Sequence, residues 1–157
     1  MEIVEMRDGH VEAVKNLLVE LQSHIASLDE RGVVVLKDNF REDYFAFISK
    51  ERNAKIFVAE ECGSAVGMVI CKIFQGGGEE EITTTCPKVG FISDLVTTRS
   101  KRGKGIGKAL LAHAVQYFKA CGCSWAQLEV FAPNTPAYGL YKGAGFAPLC
   151  IYMNKKI

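Results

Sequence analysis

Arg99, Lys101, Arg102, Lys104 and Lys108 fall within ten residues and are interleaved with Gly103, Gly105 and Gly107. Glycines let a backbone approach a ligand closely, and clustered cations attract anions. A helix beginning here would add unpaired N–H groups and a partial positive charge. Strand, glycine-rich turn and helix N-terminus together form a pyrophosphate cradle. Two phosphate-binding patterns are excluded. A P-loop needs G-x-x-x-x-G-K-[ST], but Arg102 stands where the first glycine belongs and Ala109 where Ser or Thr belongs. A dinucleotide fingerprint needs G-x-G-x-x-G, but the third glycine is replaced by Lys108 in one register and by Leu110 in the other. Arg102-Gly103-Lys104-Gly105-Ile106-Gly107 does fit R/Q-x-x-G-x-G/A.

The elements that must position this turn follow from hydrophobic periodicity. Residues 1–7 alternate as a short strand. Asp8 is a candidate cap for a helix with Val11, Val14, Leu17, Leu18, Leu21, Ile25 and Leu28 at helical spacing. Phe40, Tyr44, Phe47 and Ile48 repeat that period over residues 38–51. Strands 55–60 and 66–74 flank a hairpin turn at Cys62-Gly63-Ser64. A glycine-rich, then acidic loop spans 75–88, and 89–98 is a strand apolar enough to be central. A helix runs from the glycine turn to Ala120, with Ile106, Leu110, Leu111, Ala114 and Phe118 on one face. Strand 124–132, a helix from about Asn134 to Ala144 and one or two terminal strands complete the chain. The predicted order is β-α-α-β-β-β-α-β-α-β(β), an α/β fold with a mixed sheet.

The 157 residues are 48% hydrophobic and 24% charged, with a net charge of +1. That length suits one domain, residues 1–157, on a prior of roughly 100–200 residues per domain. The composition excludes intrinsic disorder, and charges interrupt every window long enough for a membrane span. The start, MEIVEMRDGH, lacks the basic and apolar regions of a secretory signal, so a cytoplasmic protein is expected. In that setting the six cysteines are expected to be reduced and buried for packing. Cys121 and Cys123 form Cys-x-Cys with no second pair or histidine cluster, so no metal is expected. The small net charge hides a division. Residues 1–98 carry ten basic and seventeen acidic side chains, a balance of −7. Residues 99–157 carry nine and one, a balance of +8.

The segment Leu95-Val96-Thr97 through RGKGIGKALL resembles the acetyl-CoA motif of the GNAT superfamily of N-acetyltransferases. Downstream, Asn134-Thr135-Pro136-Ala137-Tyr138-Gly139-Leu140-Tyr141-Lys142-Gly143-Ala144-Gly145-Phe146 is similar to that family's N-x-x-A-x-x-x-Y-x-x-x-G-F. A helix and a strand carrying Leu128-Glu129-Val130 join the two motifs, as in the family. The close resemblance covers residues 89–157, and the element order extends it more loosely over the whole chain. It implies a mostly antiparallel sheet flanked by helices.

The resemblance also implies roles. Backbone groups of Leu95, Val96 and Thr97 would pair with the pantetheine arm of acetyl-CoA, the co-substrate. Thr97 departs from the family's usual apolar residue, but only backbone is required there. Amides of Gly103, Lys104, Gly105, Ile106, Gly107 and Lys108 would hold the pyrophosphate. Arg102 would fix the turn or touch phosphate, and Asn134 would hydrogen-bond the cofactor. Tyr141 occupies the general-acid position; a phenol of pKa about 10 is protonated at neutral pH and can donate to the leaving thiolate. The Val96 amide is the expected oxyanion donor. The general base stays open between Asp94, Glu129 acting through water, and none at all for an amine that arrives neutral.

The acceptor follows from charge. Asp29, Glu30, Glu42, Asp43 and Glu79-Glu80-Glu81 lie in the half of the chain that lines the acceptor site in the family, and could attract a cation. A small-molecule cationic amine is the leading acceptor. A protein N-terminus or lysine is the alternative, and a non-catalytic acetyl-CoA-binding module is the rival from another class. Nucleic acid is disfavoured by the acidic first half. A homodimer is suggested only by the habit of many relatives.

Overall fold

The computed structural model describes residues 1–75 and 87–157. The acidic run Glu79-Glu80-Glu81 and Cys86 lie outside the described residues. In chain order the elements are β1 (Glu2–Glu5), α1 (Val11–Leu28), α2 (Phe40–Lys50), β2 (Ala54–Glu61), β3 (Ser64–Gln75), β4 (Lys88–Thr97), α3 (Ile106–Ala120), β5 (Trp125–Leu128) and α4 (Thr135–Gly143). Single 3-10 turns at Asp8–His10 and Arg99–Lys101 precede α1 and α3.

The five strands lie in the order β1-β2-β3-β4-β5. The first three pairings are antiparallel and β4–β5 is parallel. β2 and β3 read as continuous apolar runs because both of their faces are covered. On one face Ile56, Val58, Met68, Ile70 and Val96 meet Val14, Leu17 and Leu18 of α1 and Ile48 of α2. On the other, Phe57, Ala59, Val69, Cys71 and Ile92 meet Ile106, Leu110, Leu111, Ala114 and Phe118 of α3. The period of two thus sorts neighbouring residues of β4 onto opposite faces. Asp94 and Val96 face α1 and α2, and Leu95 faces α3.

Two glycines let α3 lie flat on the sheet. A Cβ at Gly90 would stand 2.2 Å from the Phe118 ring, and one at Gly67 would stand 3.0 Å from the Val96 carbonyl oxygen.

Four expectations are corrected. The terminal stretch forms no strand: residues 146–157 have no regular structure, and Leu149, Ile151, Tyr152 and Met153 are 80–91% exposed. β5 ends at Leu128 rather than at 132, so it offers only a four-residue edge to pair with. Asp8 does not cap α1, because it lies inside the 3-10 turn and His10 takes the cap position. Cys71 is buried as expected, but Cys62 and Cys150 are exposed; Cys62 sits at the hairpin tip, where burial is unavailable.

Candidate active site

Strand β4 carries the site because its two edges end differently. Its parallel pairing with β5 stops at Ile92 opposite Leu128, while its pairing with β3 runs on to Thr97 opposite Gly67. Beyond Ile92 the two strands part, and β4 is left paired on the β3 side only. The N–H and C=O of one residue in an antiparallel ladder point to the same side, and the side alternates. The Thr98 N–H donates to the Val66 carbonyl at 2.9 Å. By alternation Val96 also faces β3, and Leu95 and Thr97 face the open side. This corrects the expectation for Val96: its amide belongs to the β3 ladder, and its side chain is 5% exposed in the core. The open amides are those of Leu95 and Thr97.

The chain leaves β4 through a 3-10 turn and enters α3 across two glycines in the left-handed region, Gly103 at φ 76° and Gly105 at φ 81°. A Cβ at either would meet nothing, so glycine is required there by backbone conformation rather than by space. Gly105 is the N-cap of α3 and has no side chain to cap it. Ala109 is the first amide to close a helical bond, onto the Gly105 carbonyl at 3.0 Å. Among the described residues, no acceptor meets the N–H groups from Gly103 to Lys108. Lys104 and Lys108 are exposed beside them. This row of open donors fits a pyrophosphate. Arg102 folds back along the surface instead: its Nε donates to the Thr97 carbonyl at 3.1 Å and its Nη2 to Glu20 Oε1 at 3.0 Å. Lys101 pairs with Glu61 at 2.6 Å.

Asp94 is half-buried at the parting of the strands. Its Oδ2 accepts from the Ser93 hydroxyl at 2.8 Å and from the Tyr44 hydroxyl at 3.0 Å. Burial raises its pKa above the ordinary carboxylate value, opposed by those two hydrogen bonds. Tyr44 comes from α2, where Phe40, Tyr44 and Phe47 stack at 5.2 and 6.4 Å. The sequence presents Tyr44 as one more apolar position at helical spacing, and nothing in the spacing signals its hydroxyl contact.

Tyr141 projects from α4 and is half-buried, its ring edge-on to Phe146 at 6.2 Å. Burial, and then the charge of Asp94, push its pKa above the ordinary phenol value. It therefore stays protonated across the neutral range. Asn134 caps α4, its Oδ1 accepting the Ala137 N–H at 3.4 Å. Glu129 lies just past the end of β5 and is exposed.

A groove of about 550 Å³ opens between the end of α1, the segment before α2 and α2 itself, with Val33, Val35, Phe40, Asp43, Tyr44 and Phe47 among its walls. Gln22 of α1 holds its rim, donating to the Val35 carbonyl at 3.1 Å. The acids expected to attract a cation divide. Asp29 is spent locally, bonded to Arg31 Nε at 2.6 Å and to the Val33 and Val34 amides at 3.0 and 2.8 Å. Those bonds, led by Arg31, hold its carboxyl below the usual range. Glu42 is paired with Lys15 and Arg41. Asp43 does line the groove.

The family described as Acetyltransferase (GNAT) family matches residues 19–146. An N-alpha-acetyltransferase of Sulfurisphaera tokodaii is 29% identical over 93% of this chain and 86% of its own. The N-alpha-acetyltransferase MAK3 of Arabidopsis thaliana is 32% identical over 57% of this chain, which spans 43% of that relative's length. Among solved structures, a mutant of the BH1408 protein from Bacillus halodurans covers the whole chain and 99% of its own at TM-score 0.83 and 22% identity. AAC(6')-Iy in complex with a bisubstrate analogue covers 99% of this chain and 98% of its own at TM-score 0.71 and 20% identity.

Proposed function

The chain belongs to the acetyltransferase (GNAT) family and is an acetyl-CoA-dependent N-acetyltransferase, and from that premise we propose that it acetylates a small primary amine whose apolar body lies in the α1–α2 groove. The observation that carries this reading is the hydrogen bond between Asp94 of β4 and Tyr44, a residue that also lines the groove. The groove's volume lies in the range of small-molecule sites, roughly 300–1,000 Å³.

On this reading the amides of Gly103 to Lys108 hold the pyrophosphate. The open edge of β4 at Leu95 and Thr97 holds the pantetheine arm. Asn134 has its carbonyl oxygen in the helix cap and its amide nitrogen left to meet the cofactor. Acetyl transfer makes a C–N bond and breaks the C–S bond. Asp94 takes one proton from the ammonium, directly or through water, which frees the nitrogen lone pair to attack, and its raised pKa brings it closer to the neutral range. The Leu95 amide donates to the thioester oxygen as negative charge builds. Tyr141 gives its proton to the departing thiolate, and the proton that the nitrogen sheds on becoming an amide restores the phenol. An acceptor that arrives neutral leaves Asp94 only to orient it.

A second reading, transfer to a protein N-terminus, is favoured by the relative named N-alpha-acetyltransferase that aligns over 93% of this chain. The groove's apolar walls suit a first side chain equally well. Thiol release from acetyl-CoA, measured across a panel of small amines and a panel of peptides, separates the two. Turnover with small amines supports the first reading, and turnover confined to peptides replaces it with the second.

A further inference from the structure

We infer that Glu20 is a positioning residue for the phosphate-binding turn, acting on acetyl-CoA affinity from helix α1. The inference rests on the reading that the Gly103–Lys108 turn holds the pyrophosphate.

Glu20 uses both carboxylate oxygens on one turn. Its Oε2 accepts the Thr98 hydroxyl at 3.2 Å, and its Oε1 accepts Arg102 Nη2 at 3.0 Å. Thr98 precedes the 3-10 turn and Arg102 follows it. Arg102 also closes the same turn through its Nε bond to the Thr97 carbonyl. Entry and exit of the turn are therefore pinned to each other and to a helix whose Val14, Leu17 and Leu18 are rooted in the core. Gly103 and Gly105 follow directly, and glycines resist bending least. A pinned Arg102 removes that freedom before ligand arrives, and preorganisation of this kind is worth affinity.

The charge of Glu20 makes the inference testable by sign. A carboxylate near an anion site opposes the anion by Coulomb's law. If Glu20 were only a neighbouring charge, removing it would tighten coenzyme A binding. If it positions the turn, removing it weakens binding, although a negative charge has been deleted. Glutamine loses the charge but can still accept Arg102 at Oε1 and donate to the Thr98 hydroxyl from Nε2, so Glu20→Ala, which keeps neither bond, is the decisive variant.

Calorimetric titration with coenzyme A on wild type, Glu20→Gln, Glu20→Ala, Arg102→Ala and the Glu20→Ala/Arg102→Ala pair tests this. Glu20→Ala and Arg102→Ala should each bind about tenfold more weakly, the order expected for one lost charge-assisted hydrogen bond, with Glu20→Gln between Glu20→Ala and wild type. The double variant should bind no worse than the weaker single, because the two residues act as one clamp. The KM for acetyl-CoA should rise with kcat at saturation little changed. Unchanged or tighter binding by Glu20→Ala overturns the inference, as does full additivity in the double variant. Weakening that only tracks a fall in melting temperature across the set also overturns it. Absence of binding by the wild-type protein overturns the underlying pyrophosphate reading itself.

Discussion

The Tyr44 hydroxyl donates to Asp94 Oδ2 across 3.0 Å, joining α2 to β4 over 50 positions of chain. Tyr44 also lines the groove, so one side chain both forms the groove's wall and bonds the Asp94 carboxylate. Burial and the charge of Asp94 drive the Tyr44 pKa up. It therefore donates at every pH at which Asp94 is ionised in the working range.

This pair sets the acid limb of the pH–rate profile. A hydrogen bond to the ionised form lowers a carboxyl pKa, and burial raises it. Tyr44→Phe removes one lowering contact and should move the limb of kcat/KM up by about one pH unit, the equivalent of a net hydrogen bond of ~1 kcal/mol. Asp94→Asn should abolish the limb and slow turnover. The sign for stability is opposite. An acid whose pKa is raised on folding contributes most below its unfolded value and loses that contribution as pH rises through the folded value. The melting temperature of Asp94→Asn relative to wild type should therefore climb from acid to neutral pH. An unmoved limb in Tyr44→Phe would remove the pair from the mechanism.

Tyr141→Phe deletes one oxygen and leaves the packing against Phe146. The kcat should fall by roughly 10²-fold, the scale of a lost general acid. Coenzyme A affinity by calorimetry should stay within error, since Tyr141 is assigned no part in binding. Unchanged turnover assigns the leaving-group proton elsewhere.

Gly105→Asp brings a Cβ to φ 81° and a negative charge to the row of open amides. Calorimetry should show coenzyme A binding abolished. Normal affinity would refute the pyrophosphate assignment.

Gly90→Ala is a packing test away from the chemistry. Its new methyl would stand 2.2 Å from the Phe118 ring, which lies flat on β4 and is 2% exposed. Overpacking of this kind costs about 1–3 kcal/mol, readable as a lower urea midpoint at unchanged slope.

The glycine turn was legible in the sequence because its requirement is local: left-handed backbone at Gly103 and Gly105 and cations around them need no distant partner. The helices and inner strands were legible for the same reason, through their periods. Contacts across the chain were not. Glu20 and Arg102 are 82 positions apart, and in the sequence Glu20 is one more acid on a helix. Asp29 and Glu42 read as free acids because composition does not show Arg31, Lys15 and Arg41 already holding them. Residues 146–157 have the apolar character of strands, but a strand also needs an edge, and β5 stops too soon to supply one. The Val96 expectation failed on parity alone, since a one-residue shift exchanges the two sides of a ladder.

Amide hydrogen exchange with and without acetyl-CoA addresses the central claim most directly, that the open edge of β4 and the glycine turn hold the cofactor. The account predicts new protection at Leu95, at Thr97 and from Gly103 to Lys108, with Val96 unchanged because its amide is already in the β3 ladder. Exchange at these positions that ignores saturating acetyl-CoA would contradict it.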